Sequence, residues 1–332
     1  MKAEGTIYIR VDGTVEGTDK IQQEGNVYTL TGNIFDPIAV KRDNVVVDGD
    51  GYTLQGLGTG RGIELSDRKN VTVKSFEITG FETGIYIYDH CEPRSNTISS
   101  NIITNNTYGL YIEFAHNHTI YGNTIANNEY GIYLLESHFN VLRNNSLSNN
   151  RYNFDVRNII FVNDVDTSNL VDGEPMVYWI NQQDKTVPSE AGYVALINCE
   201  NITIRNLTLD NNGHGILLVS TTDSTIANNI ITKNVDGILL RCSLNNSISE
   251  NNLTYNKRGI QVVGSWENYS LNNTISGNYI ANNEEGIHLF DTSNNVFRNN
   301  RMVNNNRSFR DITFYTNDVD ASNTVNGKPI YY

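Results

Sequence analysis

Cys91, His116 and His138 each stand seven residues after a recurring glycine, in three successive repeats, and His90 and His118 lie close by. Thiolate and imidazole are preferred ligands of Zn²⁺ and copper. Side chains stacked about 5 Å apart along one column could converge on such an ion. The extra residues Glu92-Pro93-Arg94 disturb the spacing at Cys91, and the second half of the chain carries Thr222, Leu244, Trp266 and Ser293 in that column. Any transition-metal site therefore belongs to one half only, and polar residues at corners explain the column without a metal. Two Asp-Val-Asp loops, Asp164/Asp166 and Asp318/Asp320, offer the oxygen ligands that Ca²⁺ takes. Asx-turn chemistry in an irregular connection explains them as well. The third set is aromatic. Tyr86, Tyr111 and Tyr133 stand two residues after successive glycines, with Tyr88 and Glu113 beside them. A flat row of tyrosines edged by polar groups suits sugar rings or a partner protein, although stacked tyrosines also stabilise β-ladders with no ligand. No basic residues interleave the row, which disfavours an acidic polysaccharide there.

These residues share a frame that repeats about every 22 residues. Asparagine fills one column at Asn101, Asn123, Asn145, Asn229, Asn251, Asn278 and Asn300, and a second column five residues further on. A polar residue at fixed phase does not arise from apolar burial, so the same amide must meet itself from one repeat to the next. Apolar columns accompany the amides: Ile98, Ile120 and Leu142; Ile103, Ile125 and Leu147; and the residue after each glycine, such as Ile85, Leu110 and Ile132. Another apolar residue often follows two positions later, the period of a half-buried strand. Each repeat reads as three short strands joined by Asn- and Gly-rich corners. Leucine-rich repeats also carry an Asn ladder but need a longer, leucine-dominated frame with a helical segment. Here no segment shows helical spacing and β-branched residues lead at the inward sites. The expectation is an all-β, single-stranded parallel β-helix of about 22-residue coils with Asn ladders, roughly 13 coils in all.

The formal charge of −13 argues against nucleic-acid or anionic-membrane partners, because phosphate neutralisation needs clustered Lys and Arg. No apolar run is long enough to span a bilayer, and none follows Met1-Lys2 as a signal peptide would require. Cys91, Cys199 and Cys242 are too scattered for a disulfide framework. Of the Asn-x-Ser/Thr sequons, Asn117, Asn268 and Asn306 lie at corners or insertions and are the candidate N-glycosylation sites; most others read as ladder or strand residues.

A longer repeat overlies the short one. Asn163 to Tyr178 recurs 154 residues later as Asn317 to Tyr332, and both copies begin where the glycine column fails, at Asn153 and Ser308. The chain reads as a tandem duplication: lead-in and cap strands over 1–60, a first half over 61–178 and a second over 179–332. The first copy runs on through Trp179-Ile180, whereas the second stops at Tyr332. An unfinished strand without a cap is expected there, with Pro329, Ile330, Tyr331 and Tyr332 as an edge open to pairing with a neighbour.

The lead-in Asn44-Val45-Val46-Val47-Asp48-Gly49-Asp50-Gly51-Tyr52-Thr53-Leu54-Gln55-Gly56, the Gly-Ile-x-apolar repeats and the Asp-Val-Asp-x-Ser-Asn-x-Val-x-Gly-x-Pro loops resemble the right-handed β-helix proteins of the NosD-like, carbohydrate-binding and sugar-hydrolase (pectin-lyase-like) group. The resemblance covers nearly the whole chain and implies a surface-protein type; that fold hosts lyases, epimerases, hydrolases, adhesins and spacers. Gly213-His214-Gly215 is similar to the Gly-His-Gly of polygalacturonases, but the paired aspartates one coil earlier and the later Arg-x-Lys element are missing. The expected function is therefore a non-catalytic extracellular or cell-surface building block, without a required cofactor, that assembles with copies of itself or neighbouring surface domains. The alternative is a carbohydrate-active protein binding or cleaving a glycan along the sheet face, as a lyase, epimerase or hydrolase if it is an enzyme.

Overall fold

In a computed structural model of the protein, which describes residues 5–158, 160–264, 270–312 and 316–332, every described regular element is a β-strand. The chain forms two compact units, Met1–Gly173 and Glu174–Tyr332.

In the first unit, Thr83–Tyr88, Tyr108–Glu113, Tyr130–Leu135 and Tyr152–Arg157 pair in parallel along one face. Thr97–Ser99, Thr119–Tyr121 and Val141–Arg143 build a second face, and Ile102–Thr104, Thr124–Ala126 and Ser146–Ser148 a third. Each turn of chain gives one strand to each face, which makes the unit a parallel β-helix. The register is the one the apolar columns predict. Ile85, Leu110, Ile132 and Phe154 are successive partners, as are Ile98, Ile120 and Leu142, and Ile103, Ile125 and Leu147. All are at most 1% exposed, and burying each such side chain contributes about 1.5–3 kcal/mol. At the N-terminal end, Ile7–Ile9 pairs antiparallel with Val15–Glu16 and parallel with Ile38–Val40, while Ile21–Glu24 turns back on Val27–Leu30.

The second unit follows the same plan. Tyr193–Ile197, His214–Val219, Asp236–Arg241, Arg258–Val263, Glu285–Phe290 and Arg307–Ile312 stack in parallel, with Ile216, Ile238, Ile260 and Ile287 inward.

The amide columns are hydrogen-bonded ladders. The backbone N–H and Nδ2 of Asn101 both donate to Asn123 Oδ1 at 3.0 Å, and Asn123 donates likewise to Asn145 Oδ1 at 3.1 and 2.9 Å. Asn123 Nδ2 also donates to the Ile98 carbonyl at 2.9 Å, so a fully buried corner is satisfied by one side chain. A further ladder, not read from the sequence, runs through Asn96, His118, Asn140 and Asn163. His118 takes an asparagine's place in it, its Nδ1 accepting the Asn96 N–H at 3.0 Å while its own N–H donates to Asn140 Oδ1 at 2.9 Å.

The glycine column comes from close approach of coils. A Cβ on Gly109 would lie 2.7 Å from the Gly131 carbonyl oxygen and 2.8 Å from Ile125 Cγ2. Where the column fails, the Asn153 amide takes a new role, accepting from Asn150 Nδ2 at 2.9 Å and donating to Asp172 at 2.8 Å.

The expectation of an unfinished, uncapped strand at the C-terminal residues is corrected by the structure. Lys328–Pro329 turns back antiparallel on Thr324–Val325, and the Ile330 N–H donates to the Asn323 carbonyl at 2.9 Å. Ile330 packs against the core, and the Tyr332 hydroxyl donates to Asp311 at 2.5 Å with its ring 6.0 Å from that of Phe309. The cause is Asn326-Gly327, whose φ values of 50° and 79° make the two-residue hairpin turn that Asn-Gly favours.

Candidate functional site

The outer face of the first unit's long strands carries seven tyrosines, of which all but Tyr88 pack into one layer. Tyr86, Tyr111 and Tyr133 are register partners across three coils, and Tyr108, Tyr130 and Tyr152 form a parallel row beside them. The second row was not anticipated, although its residues recur at 22-residue spacing immediately before the glycine column or its Asn153 counterpart. Alternation counted back from inward-facing Leu110 would turn Tyr108 inside. Instead Gly109 and Leu110 are both buried, and the bend brings Tyr108 out beside Tyr111. The rings form one connected layer. Tyr108 stacks on Tyr130 at 4.9 Å and on Tyr111 at 5.1 Å, and Tyr111 meets Tyr86 and Tyr133 edge-on at 5.4 and 5.2 Å.

Charged groups border this layer. Tyr86, 5% exposed, donates its hydroxyl to Glu113 at 2.6 Å, and the Arg61 guanidinium lies 3.6 Å from its ring centroid. At the other end Arg157 grips buried Asp155 at 2.9 and 3.2 Å. Tyr88 faces His90 and Phe114 edge-on. Burial, then the carboxylates and neighbouring phenols, raises the phenol pKa values: Tyr130 and Tyr133 to about 12, and Tyr86, Tyr111 and Tyr108 also upward. The layer is thus neutral, its rings packed against one another edge-on and face to face, and a cleft of about 300 Å³ lined by Arg61, Glu64 and Glu82 adjoins it at Tyr86.

The structure brings only part of the Cys/His column together. His116 and His138 stack with centroids 4.4 Å apart and planes 16° from parallel. Cys91 is exposed, and the register places Pro93, not Cys91, opposite His116. His116 Nδ1 accepts the His138 N–H at 3.0 Å, and His118 Nε2 lies 2.8 Å from buried Asp89. Among the described residues no three His, Cys, Asp or Glu side chains converge on a point suited to a metal ion. Burial lowers the pKa of both His116 and His138, and for His116 the neighbouring imidazoles add to it.

The Asp-Val-Asp loops are arginine clips. Arg143 reaches Asp164 at 2.5 Å and Asp166 at 3.1 Å, and Arg298 reaches Asp318 and Asp320 at 2.5 and 3.2 Å. Ser168 and Ser322 hydrogen-bond Asp166 and Asp320 as Asx-type turns. In each loop one guanidinium bridges the two carboxylates.

His214 is buried, its Nδ1 3.2 Å from Asp236, which Arg258 also clasps. It lies inside a ladder of His214, Asp236, Arg258, Glu285 and Arg307 in register. Of the glycosylation candidates, Asn117 and Asn306 are exposed, and Asn268 lies outside the described residues. The reading of most other sequons as ladder or strand residues is corrected. Asn105, Asn144, Asn245 and Asn272 are exposed corner residues with φ of 53–57°, and the ladder asparagine is the next residue in each case. Asparagine tolerates that left-handed conformation, and an outward Thr or Ser two residues later completes the sequon. At the C-terminus Tyr331 is 87% exposed, Pro329 is exposed and Ile330 is partly buried.

A search of the curated proteins returned no match. Among solved structures the chain is similar to the A-module of the Azotobacter vinelandii mannuronan C-5 epimerase AlgE6, at 16% identity over 91% of this chain and 87% of that one, with a TM-score of 0.40. It is also similar to the periplasmic alginate epimerase AlgG, at 14% identity over 95% and 84%, TM-score 0.32. The bacteriophage CBA120 tailspike protein 2 matches at 13% identity over 91% and 48%, TM-score 0.31. Nothing about chemistry follows from likeness at that level. The NosD family, described as periplasmic copper-binding protein (NosD), matches residues 9–194 and 179–331, nearly the whole length. With its stacked coils, glycine column and amide ladders, this chain belongs to the NosD family of parallel β-helix proteins.

Proposed function

We propose that the protein binds a neutral glycan along the tyrosine face of its first unit, as a non-catalytic β-helix protein outside the cytoplasm. The observation that supports this reading is the connected layer of six tyrosines on a parallel sheet. The partly exposed rings give sugar C–H groups apolar contact area, and uncharged hydroxyls with Glu113 nearby supply hydrogen bonds at the rim. A glycan array with Tyr111→Ala and Tyr130→Ala variants tests it. Binding of neutral oligosaccharides that both variants lose supports the reading; no neutral ligand, or binding unchanged in both variants, overturns it.

The family description carries copper, and the donor set of this chain does not fit that ion. Stacked parallel imidazoles aim their lone pairs side by side, His116 Nδ1 is already engaged by a backbone N–H, and Cys91 is out of register. Copper bound by N and S donors needs those lone pairs directed at one centre. The periplasmic location in the same description agrees with a glycan-binding role, and Asn117 and Asn306 are open to glycosylation in a host that performs it.

Assembly with copies of itself or with neighbouring surface domains is a second reading. It is supported by Arg307–Ile312, which among the described residues pairs on one side only, and by the exposed Tyr331 close to it in the fold. The folded-back hairpin and the charged side chains of that strand weigh against open-edge pairing. Size-exclusion chromatography and negative-stain microscopy at high concentration distinguish the two: a strictly monomeric particle removes this reading.

A further inference from the structure

The second unit presents the same outer positions as the tyrosine face with different chemistry. Counted from the glycine column, Tyr108, Tyr130 and Tyr152 correspond to Arg258, Glu285 and Arg307, while Tyr133 and Asp155 correspond to His288 and Arg310. These side chains, with Lys257 and Glu284, line a cleft of about 410 Å³. That volume lies within the range of small-ligand sites.

Four cations, Lys257, Arg258, Arg307 and Arg310, face two carboxylates, Glu284 and Glu285, across this cleft. The chain as a whole has a formal charge of −13, so a local excess of cations is out of keeping with the rest of the surface. Glu285 is the organising centre: Arg310 and Arg307 reach it at 3.0 and 3.4 Å, and His288 Nδ1 lies 3.4 Å away. Arg258 is anchored from below by buried Asp236. Arg258 and Arg310 are thus oriented by close ion pairs, Arg307 reaches out beside them, and guanidinium N–H groups meet oxyanions in a fork geometry.

We infer that this cleft binds acidic sugar units, whose carboxylate or sulfate oxygens meet Lys257, Arg307 and Arg310 while ring hydroxyls meet Glu284. Interleaved carboxylates select against the dense charge of a polyphosphate backbone, which demands uninterrupted cations, and suit isolated anions separated by hydroxyl-bearing rings. In register Arg258 and Arg307 stand two coils apart, about 9.6 Å, with Glu285 between them, so the cations are spaced for separated anions and not for adjacent ones. The inference stands apart from the neutral-glycan reading, because it uses none of the tyrosines.

The test is isothermal titration of the full chain at low salt with an oligogalacturonate, a sulfated oligosaccharide, a neutral malto-oligosaccharide of matching length and inorganic sulfate. The acidic oligosaccharides are expected to bind, more weakly as salt rises, with the carboxylate and sulfate arms showing which anion is preferred. Lys257→Gln and Arg307→Gln are each expected to weaken that binding about tenfold. Arg205→Gln, an exposed arginine outside the cleft, and Tyr111→Ala are expected to leave it unchanged. Three outcomes overturn the inference: no acidic oligosaccharide binds, both cleft variants bind as the parent does, or inorganic sulfate competes at the oligosaccharide's own concentration. Thermal unfolding matched to the parent establishes that the variants are folded, and a charge-reversed Lys257→Glu supplies an independent exposed variant if Arg307→Gln is not.

Discussion

Tyr108 and Tyr130 lie face to face, ring centroids 4.9 Å apart and planes 13° from parallel, because each precedes the glycine of its own coil and the two residues are register partners. Tyr111, three residues after Tyr108 in the same strand, stacks on it at 5.1 Å. The glycine between them makes both contacts available at once: it lets the coils approach, and its bend puts two residues of one strand on the same outer side.

The half-buried phenols of Tyr130 and Tyr133 predict an alkaline limit to stability. Burial first, then the nearby Asp155 carboxylate, pushes the Tyr130 and Tyr133 phenols up to about 12 from their ordinary value of 10.0. A raised folded pKa gives stability that is complete below the unfolded value and is lost as pH rises through the folded one. Tm is expected to fall between about pH 10 and 12, and ultraviolet titration should show a slow-titrating class of tyrosines that Tyr130→Phe reduces.

The histidines predict the opposite limb. His116, His138 and His288 all have folded pKa values lowered from 6.5, in each case first by burial. A depressed value gives stability that is present above the unfolded pKa and lost as pH falls toward the folded one. Tm is expected to decline as pH drops below about 6.5. His138→Gln should flatten that decline; a steeper decline in the variant counts against this account.

The amide ladder predicts a local cost that composition alone does not. Asn123→Ala removes the acceptor for two donors of Asn101 and two donors of its own. The Asn101 N–H is then left buried and unpaired, at a cost of about 1–3 kcal/mol. Urea unfolding should show that loss, whereas Asn127→Ala at a neighbouring exposed corner should cost less.

Close approach of coils predicts that Gly109→Ala is destabilising by about 1–3 kcal/mol through overpacking against the Gly131 carbonyl and Ile125. Gly32→Ala is the control, because its Cβ would meet only Lys20 Cδ at 3.7 Å. Equal midpoints for the two variants in chemical denaturation would remove the steric explanation of the glycine column.

The arginine clips predict indifference to calcium. Added Ca²⁺ or a chelator is expected to leave Tm unchanged, while Arg143→Gln should lower it slightly and raise the susceptibility of the Asp164–Asn169 connection to proteolysis. A rise in Tm with calcium in the parent protein would show that the carboxylates of Asp164 and Asp166 prefer the ion to the guanidinium.

Columns were legible in the sequence because a stacked coil makes each residue its own neighbour one repeat later. Ile98, Ile120 and Leu142, or Asn101, Asn123 and Asn145, are therefore both a spacing and a contact. Mixed columns were not legible: His118 replaces an asparagine in the third ladder by geometry, an imidazole nitrogen lying where an amide oxygen would. Contacts between different columns were hidden too. Arg143 closing on Asp164 and Asp166 joins a strand to a later loop, and no periodicity records that distance. The Asn326-Gly327 turn carried a local signal, but its copy at Asp172-Gly173 led into a long strand, and likeness to that copy masked it.

The sequence by itself determined the coil, its register, the inward residues and the duplication, because these depend on what recurs at one fixed interval. Only the tertiary structure decided which outward residues form surfaces. Bends at glycine and corners in left-handed backbone set the direction of each side chain there. They turned six positions of one unit into a tyrosine layer and in the other brought Arg307, Arg310 and His288 together around Glu285.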